Sequence, residues 1–290
     1  MTNAKPPLIS MVAGACIISF SSVLVNVSGV EASSSAFYRL LFGGITVALI
    51  AFMRREFRFG SQNSLVYAFV SSIFFCIDLV TWHIGIPYLG PGLATLIANF
   101  QVFFLAGYDI FAKNRRLSPV FIFAVFMAVA GLYLLVGHGW EAQSENFQKG
   151  VFFCLVTAAS YAGFMIFLKK SMAAEGSMSI AQTMLTVSVY CSVMLGIYTY
   201  AKGGTLFIPT GESFLALLAY GILCHGLGWY LVTWSISKLY LSVVGLILLL
   251  QPTLSFFWDV LIFNKSFTPL DIAGAMLALT AIYIGTAVKR

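Results

Sequence analysis

The groups able to do chemistry in this chain are few, and nearly all of them lie inside apolar runs. Arg39, Asp78, His225 and Asp259 are ionisable; Asn99, Tyr161, Gln251 and Ser255 are neutral hydrogen-bonding groups; Trp82 and His83 stand together near the end of one run. A charge at the centre of a membrane helix costs about 2.5–3.5 kcal/mol on insertion scales, so such a group is expected to face a partner or a polar path. Reversible chemistry is what these residues offer. The Asp78 carboxyl suits a proton carrier, a ligand for a substrate ammonium, or a group satisfied by a neighbouring helix. Asn99 and Gln251 suit either substrate contacts or interhelical hydrogen bonds. His225, set among Gly221, Gly226 and Gly228, marks either a ligand or close helix packing.

Covalent chemistry is not indicated. His83, His138 and His225 are scattered, and neither a His-Glu-x-x-His helix nor a Gly-x-Ser-x-Gly turn occurs. No phosphate-binding Gly-x-x-x-x-Gly-Lys-Ser/Thr loop is present, so ATP-driven work within this chain is excluded. Cys16, Cys76, Cys154, Cys191 and Cys224 all fall in apolar runs without metal-ligand spacing and read as packing residues. The expectation is therefore no catalytic residue, no metal and no cofactor. A pore would want a continuous polar face, whereas the polar residues here are patchy and interleaved with Phe, Tyr and Trp. That pattern suits an occludable pocket for a small amphipathic molecule.

Helical spacing groups the candidates. Ser71, Phe75, Asp78, Trp82 and Gly85 share one face, as do Gly92, Thr95 and Asn99, and again Gln251, Ser255 and Asp259. Ser19, Ser22 and Asn26 form a milder stripe, and Thr157, Tyr161 and Phe164 another. Trp82, Tyr88, Trp140 and Tyr240 also fit an interfacial aromatic belt, as does His83 near the outer end of its span. Arg39 reads as a gating or snorkelling residue, with Glu31 as its partner.

The elements that must carry these residues follow from composition. Sixty per cent hydrophobic residues against 9% charged, with a mean hydropathy of +0.94, cannot cover a soluble domain of this length. The chain reads as an all-α membrane protein of ten spans, near 8–28, 34–54, 64–86, 91–112, 118–138, 149–170, 178–201, 213–237, 241–263 and 269–288. The first span resembles a signal peptide only superficially, since Lys5 is the sole charge before it. The net charge of +6 speaks to orientation in the bilayer rather than to nucleic acid. With a cytoplasmic N-terminus, Lys5, Arg54, Arg55, Arg58, Lys113, Arg115, Arg116, Lys169, Lys170, Lys238, Lys289 and Arg290 fall inside. Only Lys149, Lys202 and Lys265 then fall outside. Both termini are expected in the cytoplasm.

An internal repeat organises the spans. Leu79-Val80-Thr81-Trp82 recurs as Leu231-Val232-Thr233-Trp234, and the same offset puts Tyr88 on Tyr240 and Asn99 on Gln251. After a gap of two residues, Leu117-Ser118-Pro119 falls on Phe267-Thr268-Pro269, and Tyr133 on Tyr283. The chain divides into a first five-helix repeat (1–138), a linker (139–148) and a second repeat (149–290). Five spans are an odd number, so the second repeat enters the membrane inverted. Inverted repeats are a common plan of secondary transporters, with the substrate site near the midplane.

Several short motifs resemble the drug/metabolite transporter superfamily in its EamA-type branch. They are Ala36-Phe37-Tyr38-Arg39, Ala158-Ala159-Ser160-Tyr161-Ala162, Gln251-Pro252-Thr253 and the Gly274-containing last span. The sequence departs from that pattern at Phe100, where the ninth span has Pro252, and at Lys265, where an acidic residue is usual. The resemblance covers essentially the whole chain, and within the superfamily it points towards bacterial aromatic amino acid exporters. What it implies is a secondary transporter of small metabolites working by alternating access in the bacterial inner membrane, most simply an amino acid exporter. The partners would be a small-molecule substrate and the lipid bilayer, without ATP or nucleic acid. The alternatives are a passive facilitator for other organic solutes or drugs and, further off, a membrane-embedded enzyme. The pathway would be lined by Asp78, Trp82, His83, Asn99, Tyr161, His225, Gln251 and Ser255, with Arg39 and Asp259 gating or structural.

Overall fold

A computed structural model describes residues 5–58, 60–89, 91–136, 147–264 and 268–287, with only the backbone described at 91–93, 135–136 and 259. All regular structure among these residues is helical. In chain order the helices are α1 (Lys5–Ser28), α2 (Ala32–Met53), α3 (Gln62–Leu89) and α4 (Pro91–Ala98 with Gln101–Phe111). Then come α5 (Pro119–Val136), α6 (Phe147–Ala173), α7 (Ile180–Ala201), α8 (Gly211–Ile236), α9 (Leu241–Phe263) and α10 (Pro269–Ala287). Among the described residues nine of these are long and apolar enough to cross a membrane; α5 is a shorter apolar helix over Pro119–Leu134. The architecture is that of a multi-span membrane protein. Trp140, His138, Lys265, Lys289 and Arg290 lie outside the described residues, as does the Asp259 side chain.

Helix starts and stops have local causes. The matched Ser118-Pro119 and Thr268-Pro269 pairs are N-termini. Ser118 accepts the N–H of Phe121, Thr268 accepts that of Asp271, and the Asp271 carboxylate accepts the N–H of Thr268 in return. Each cap is followed by proline, whose missing N–H would have been an orphan there anyway. At the other ends the chain turns through left-handed residues: Gly29 and Gly176 after α1 and α6, Arg55 and Gly203 after α2 and α7, Asn114 and Asn264 after α4 and α9.

Four helices are not continuous, which the apolar runs gave no sign of. α1 breaks at Phe20, α4 at Asn99–Phe100 and α9 at Leu249, while α8 runs as a π-helix from Tyr220 to Trp229. At the α4 break the backbone tightens, with Phe100 bonded to Ile97 and Val102 to Asn99.

The chain forms two compact units. One comprises Met1–Leu79 and Gly163–Leu239, the other Val80–Ala162 and Tyr240–Arg290. The first holds α1, α2, α7, α8 and parts of α3 and α6; the second holds α4, α5, α9, α10 and the remainder of α3 and α6. In the first unit close approach rests on missing side chains. A Cβ at Gly43 would stand 2.5 Å from the His225 ring, and one at Gly221 would stand 2.4 Å from Phe42.

Candidate functional site

The predicted residues separate between the two units: Arg39, Asp78 and His225 in the first, Trp82, His83, Asn99, Tyr161, Gln251 and Ser255 in the second.

In the first unit the centre is Arg39. It is buried on α2, and its Nη1 donates to the Tyr220 hydroxyl at 3.1 Å. The guanidinium carbon lies 5.2 Å from the Tyr220 ring centroid and 5.9 Å from that of Phe75. Phe75 stacks on Phe164 at 4.4 Å, and Trp229 closes on Phe164 edge-on at 5.2 Å. One turn along α3 from Phe75 lies the buried Asp78. Two expectations are corrected here. Arg39 does not snorkel, and Glu31 pairs with Lys202 at 3.7 Å instead.

His225 sits in the π-helical stretch with its ring against Gly43. Its Nε2 lies 2.8 Å from Ser188 Oγ. The Ser188 hydroxyl hydrogen is committed to the Met184 carbonyl at 2.7 Å, so Nε2 must carry the proton and donate. Nδ1 is then a buried acceptor without a protein partner among the described residues. A π-bulge of this kind is frequent at functional sites.

The stripe Ser71–Phe75–Asp78–Trp82–Gly85 turns out to be mainly a packing seam between α3 and α6. Ser71 donates to the Phe164 carbonyl at 2.9 Å, Thr81 and Thr157 share a 2.8 Å hydrogen bond, and a Cβ at Gly85 would meet Cys154. Ser19 likewise spends its hydroxyl within α1, on the Cys16 carbonyl.

In the second unit, Trp82 and His83 meet edge to face at 5.0 Å, and Tyr161 and Ser255 are half-buried. Asn99 donates to Thr95 of its own helix at 2.8 Å, beside the α4 break. Gln101, two residues on, is fully buried, and neither its Oε1 nor its Nε2 finds a partner among the described residues; Nε2 of Gln251 is in the same position.

The structure also shows a cluster that sequence reasoning missed. The buried Asp109 carboxylate accepts the N–H of Ser242 at 2.8 Å, in the first turn of α9, and pairs with Arg115 at 3.6 Å. Arg115 donates to Ser242 Oγ at 2.9 Å and lies 3.8 Å over the Tyr240 ring. The signal was present: Asp109, like Asp78, is a carboxylate within an apolar run. Among the described residues, no group of three His, Cys, Asp or Glu side chains could hold a metal.

Comparison with known proteins bears on this arrangement. Residues 148–286 match the EamA-like transporter family. Over 193 residues, 63% of the chain, the sequence is 23% identical to a probable purine permease 10 of Arabidopsis thaliana. The match spans about half of that relative's length, 49%. One solved crystal structure superposes with a TM-score of 0.83 at 16% identity, covering 98% of this chain and 99% of its own, a likeness of fold.

Proposed function

We propose that this protein is a secondary transporter of small organic molecules, working by alternating access between two inverted repeats. The match of residues 148–286 to a transporter family carries the reading. The purine permease relative points the same way, towards transport and away from an enzyme. On this reading residues 1–138 and 149–290 are the repeats, both termini are cytoplasmic, and the membrane is a bacterial inner membrane.

The packing supports the repeat. α2 packs on α7, α4 on α9 and α5 on α10, each helix on its own counterpart. α1 packs on α8, and the exchange of halves turns that pair into α6 on α3, which pack through Ser64–Ser171 and Ser71–Phe164. The three pairs of left-handed helix stops also fall at corresponding places in the two halves. Helices α4 and α9, both interrupted near the matched Asn99 and Gln251, are the broken helices that transporters use around a substrate.

Amino acid export, and aromatic amino acids in particular, is the substrate reading that the sequence resemblance favours. The specific observation behind a second reading is the purine permease likeness, which favours a neutral heterocycle. The test is counterflow in proteoliposomes with a panel of amino acids and nucleobases, with and without a pH gradient. Saturable counterflow supports a transporter; unsaturable flux points to a passive facilitator, and product formation to an enzyme.

A further inference from the structure

The crossing of α4 and α9 has its own polar character. Asp109 stands opposite Ser242, and Leu105 with Val102 opposite Gly245. Each step back along α4 is therefore a step forward along α9, as in any antiparallel pair. Continuing that register brings Gln101 level with Leu248 and Leu249, and Asn99 level with Gln251. Both helices are interrupted at this level.

We propose that Gln101 and Gln251 form a subsite for a neutral donor–acceptor edge, with Gln101 the specificity-determining residue. The solute would present an N–H beside a carbonyl or ring nitrogen, as in a lactam, an imide or an amino-substituted heterocycle. The inference rests on the transporter reading and names its substrate class. An amide side chain offers one acceptor and two donors a short distance apart, which is complementary to such an edge in two parallel hydrogen bonds. Gln101 is the strongest indication, because its amide is wholly buried and neither end has a partner among the described residues. Such an amide does nothing for the stability of the fold, since an apolar side chain of similar volume would pack there without a desolvated polar group. Its use must lie in what it binds. Charge complementarity argues against a zwitterion at this place: α4 and α9 carry no Lys, Arg or His, so nothing on them would hold a carboxylate.

A functional amide and a structural one differ in the sign of their effect on stability. The full chain, purified in detergent, is titrated with adenine, uracil and phenylalanine, following equilibrium binding and the melting temperature. Gln101→Met should melt higher than wild type without ligand and bind adenine or uracil at least tenfold more weakly, and Gln251→Met should also weaken binding of the bases. The proposal is overturned if Gln101→Met fails to fold or melts lower with affinity for the bases unchanged. It is overturned equally if wild type binds phenylalanine and neither base. Phenylalanine counterflow without base binding would remove the subsite and leave the transporter reading intact. Absence of counterflow with every solute would remove the transporter reading, while Gln101-dependent base binding would still uphold the subsite.

Discussion

Asp109 gives the most exacting test of the packing. Its carboxylate is almost fully buried and does two things, taking the N–H of Ser242 at 2.8 Å and pairing with Arg115 at 3.6 Å. The first interaction places a negative charge on the N-terminal turn of α9, where unsatisfied N–H groups and the helix dipole favour it. Removing one member of a buried ion pair costs about 3–5 kcal/mol. The figure is smaller here, because Arg115 keeps 17% of its side chain exposed and retains Ser242 Oγ and the Tyr240 ring. Asp109→Ala should therefore destabilise by about 2–3 kcal/mol, the discounted cost of breaking such a pair. Asp109→Asn keeps an acceptor for the Ser242 N–H and should cost about 1 kcal/mol, near the net worth of one hydrogen bond.

The assay is apparent melting in detergent at fixed protein and detergent concentration, run as a cycle of Asp109→Ala, Arg115→Ala and the double variant. A kcal/mol corresponds to roughly 2–4 °C in a chain of this order of size, so Asp109→Ala should melt about 5–10 °C lower. Residues that share partners should be coupled by about 1–2 kcal/mol, so the double variant should lose less than the two single losses combined. High salt should change little, because the carboxylate is shielded from solvent. Strictly additive losses, or an Asp109→Ala protein that melts like wild type, would refute Asp109 and Arg115 as a structural pair.

Three further outcomes are expected. Gly43→Ala puts a Cβ 2.5 Å from the His225 ring and should lower the melting temperature by several degrees, in line with the about 1–3 kcal/mol of overpacking; unchanged melting would mean that α2 and α8 are not in close contact. Asp78→Asn should keep counterflow and lose pH-driven accumulation if the carboxyl carries a proton, or lose counterflow of amines if it is an ammonium ligand; wild-type behaviour in both assays would make it structural. In a background lacking the native cysteines, Asn114→Cys and Lys202→Cys should react with a membrane-impermeant thiol reagent from opposite sides, and labelling from one side would end the assigned orientation.

Much of the scaffold was legible because each signal had a local cause. Apolar length set the helices, and Ser118-Pro119 and Thr268-Pro269 set two of their starts through capping. The polar faces were less legible. Ser71 and Asp78 share a face with Phe75 by spacing alone, but spacing cannot say whether that face meets a cavity or another helix. Here Phe164 takes both Ser71 and Phe75. Arg39 was misplaced for a similar reason: a cation near a helix start suggests snorkelling, unless Tyr220 and Phe75 arrive from distant positions to cover it. The break at Leu249 comes one turn before Pro252, which removes a helix hydrogen bond and crowds the preceding turn, whereas the break at Asn99–Phe100 has neither glycine nor proline. Gln101 escaped notice beside Asn99 because a single amide in a run says nothing about whether it will find a partner.

The proposed repeat predicts this division into compact units. If the chain holds two copies of one unit, a helix and its counterpart present the same surface to each other, and a small residue on one is matched by a small residue on the other. The α5–α10 seam has that form. Ala124, Ala128 and Gly131 fall, by the offset of the Ser118-Pro119 match, on Gly274, Ala278 and Ala281. The four alanines among these, Ala124, Ala128, Ala278 and Ala281, have no exposed surface at all. A Cβ at Gly131 would stand 2.6 Å from the Ala278 backbone, so the two helices touch main chain to main chain. Compact units then gather counterpart pairs, α2 with α7 in one, α4 with α9 and α5 with α10 in the other, and each must draw on both halves of the chain.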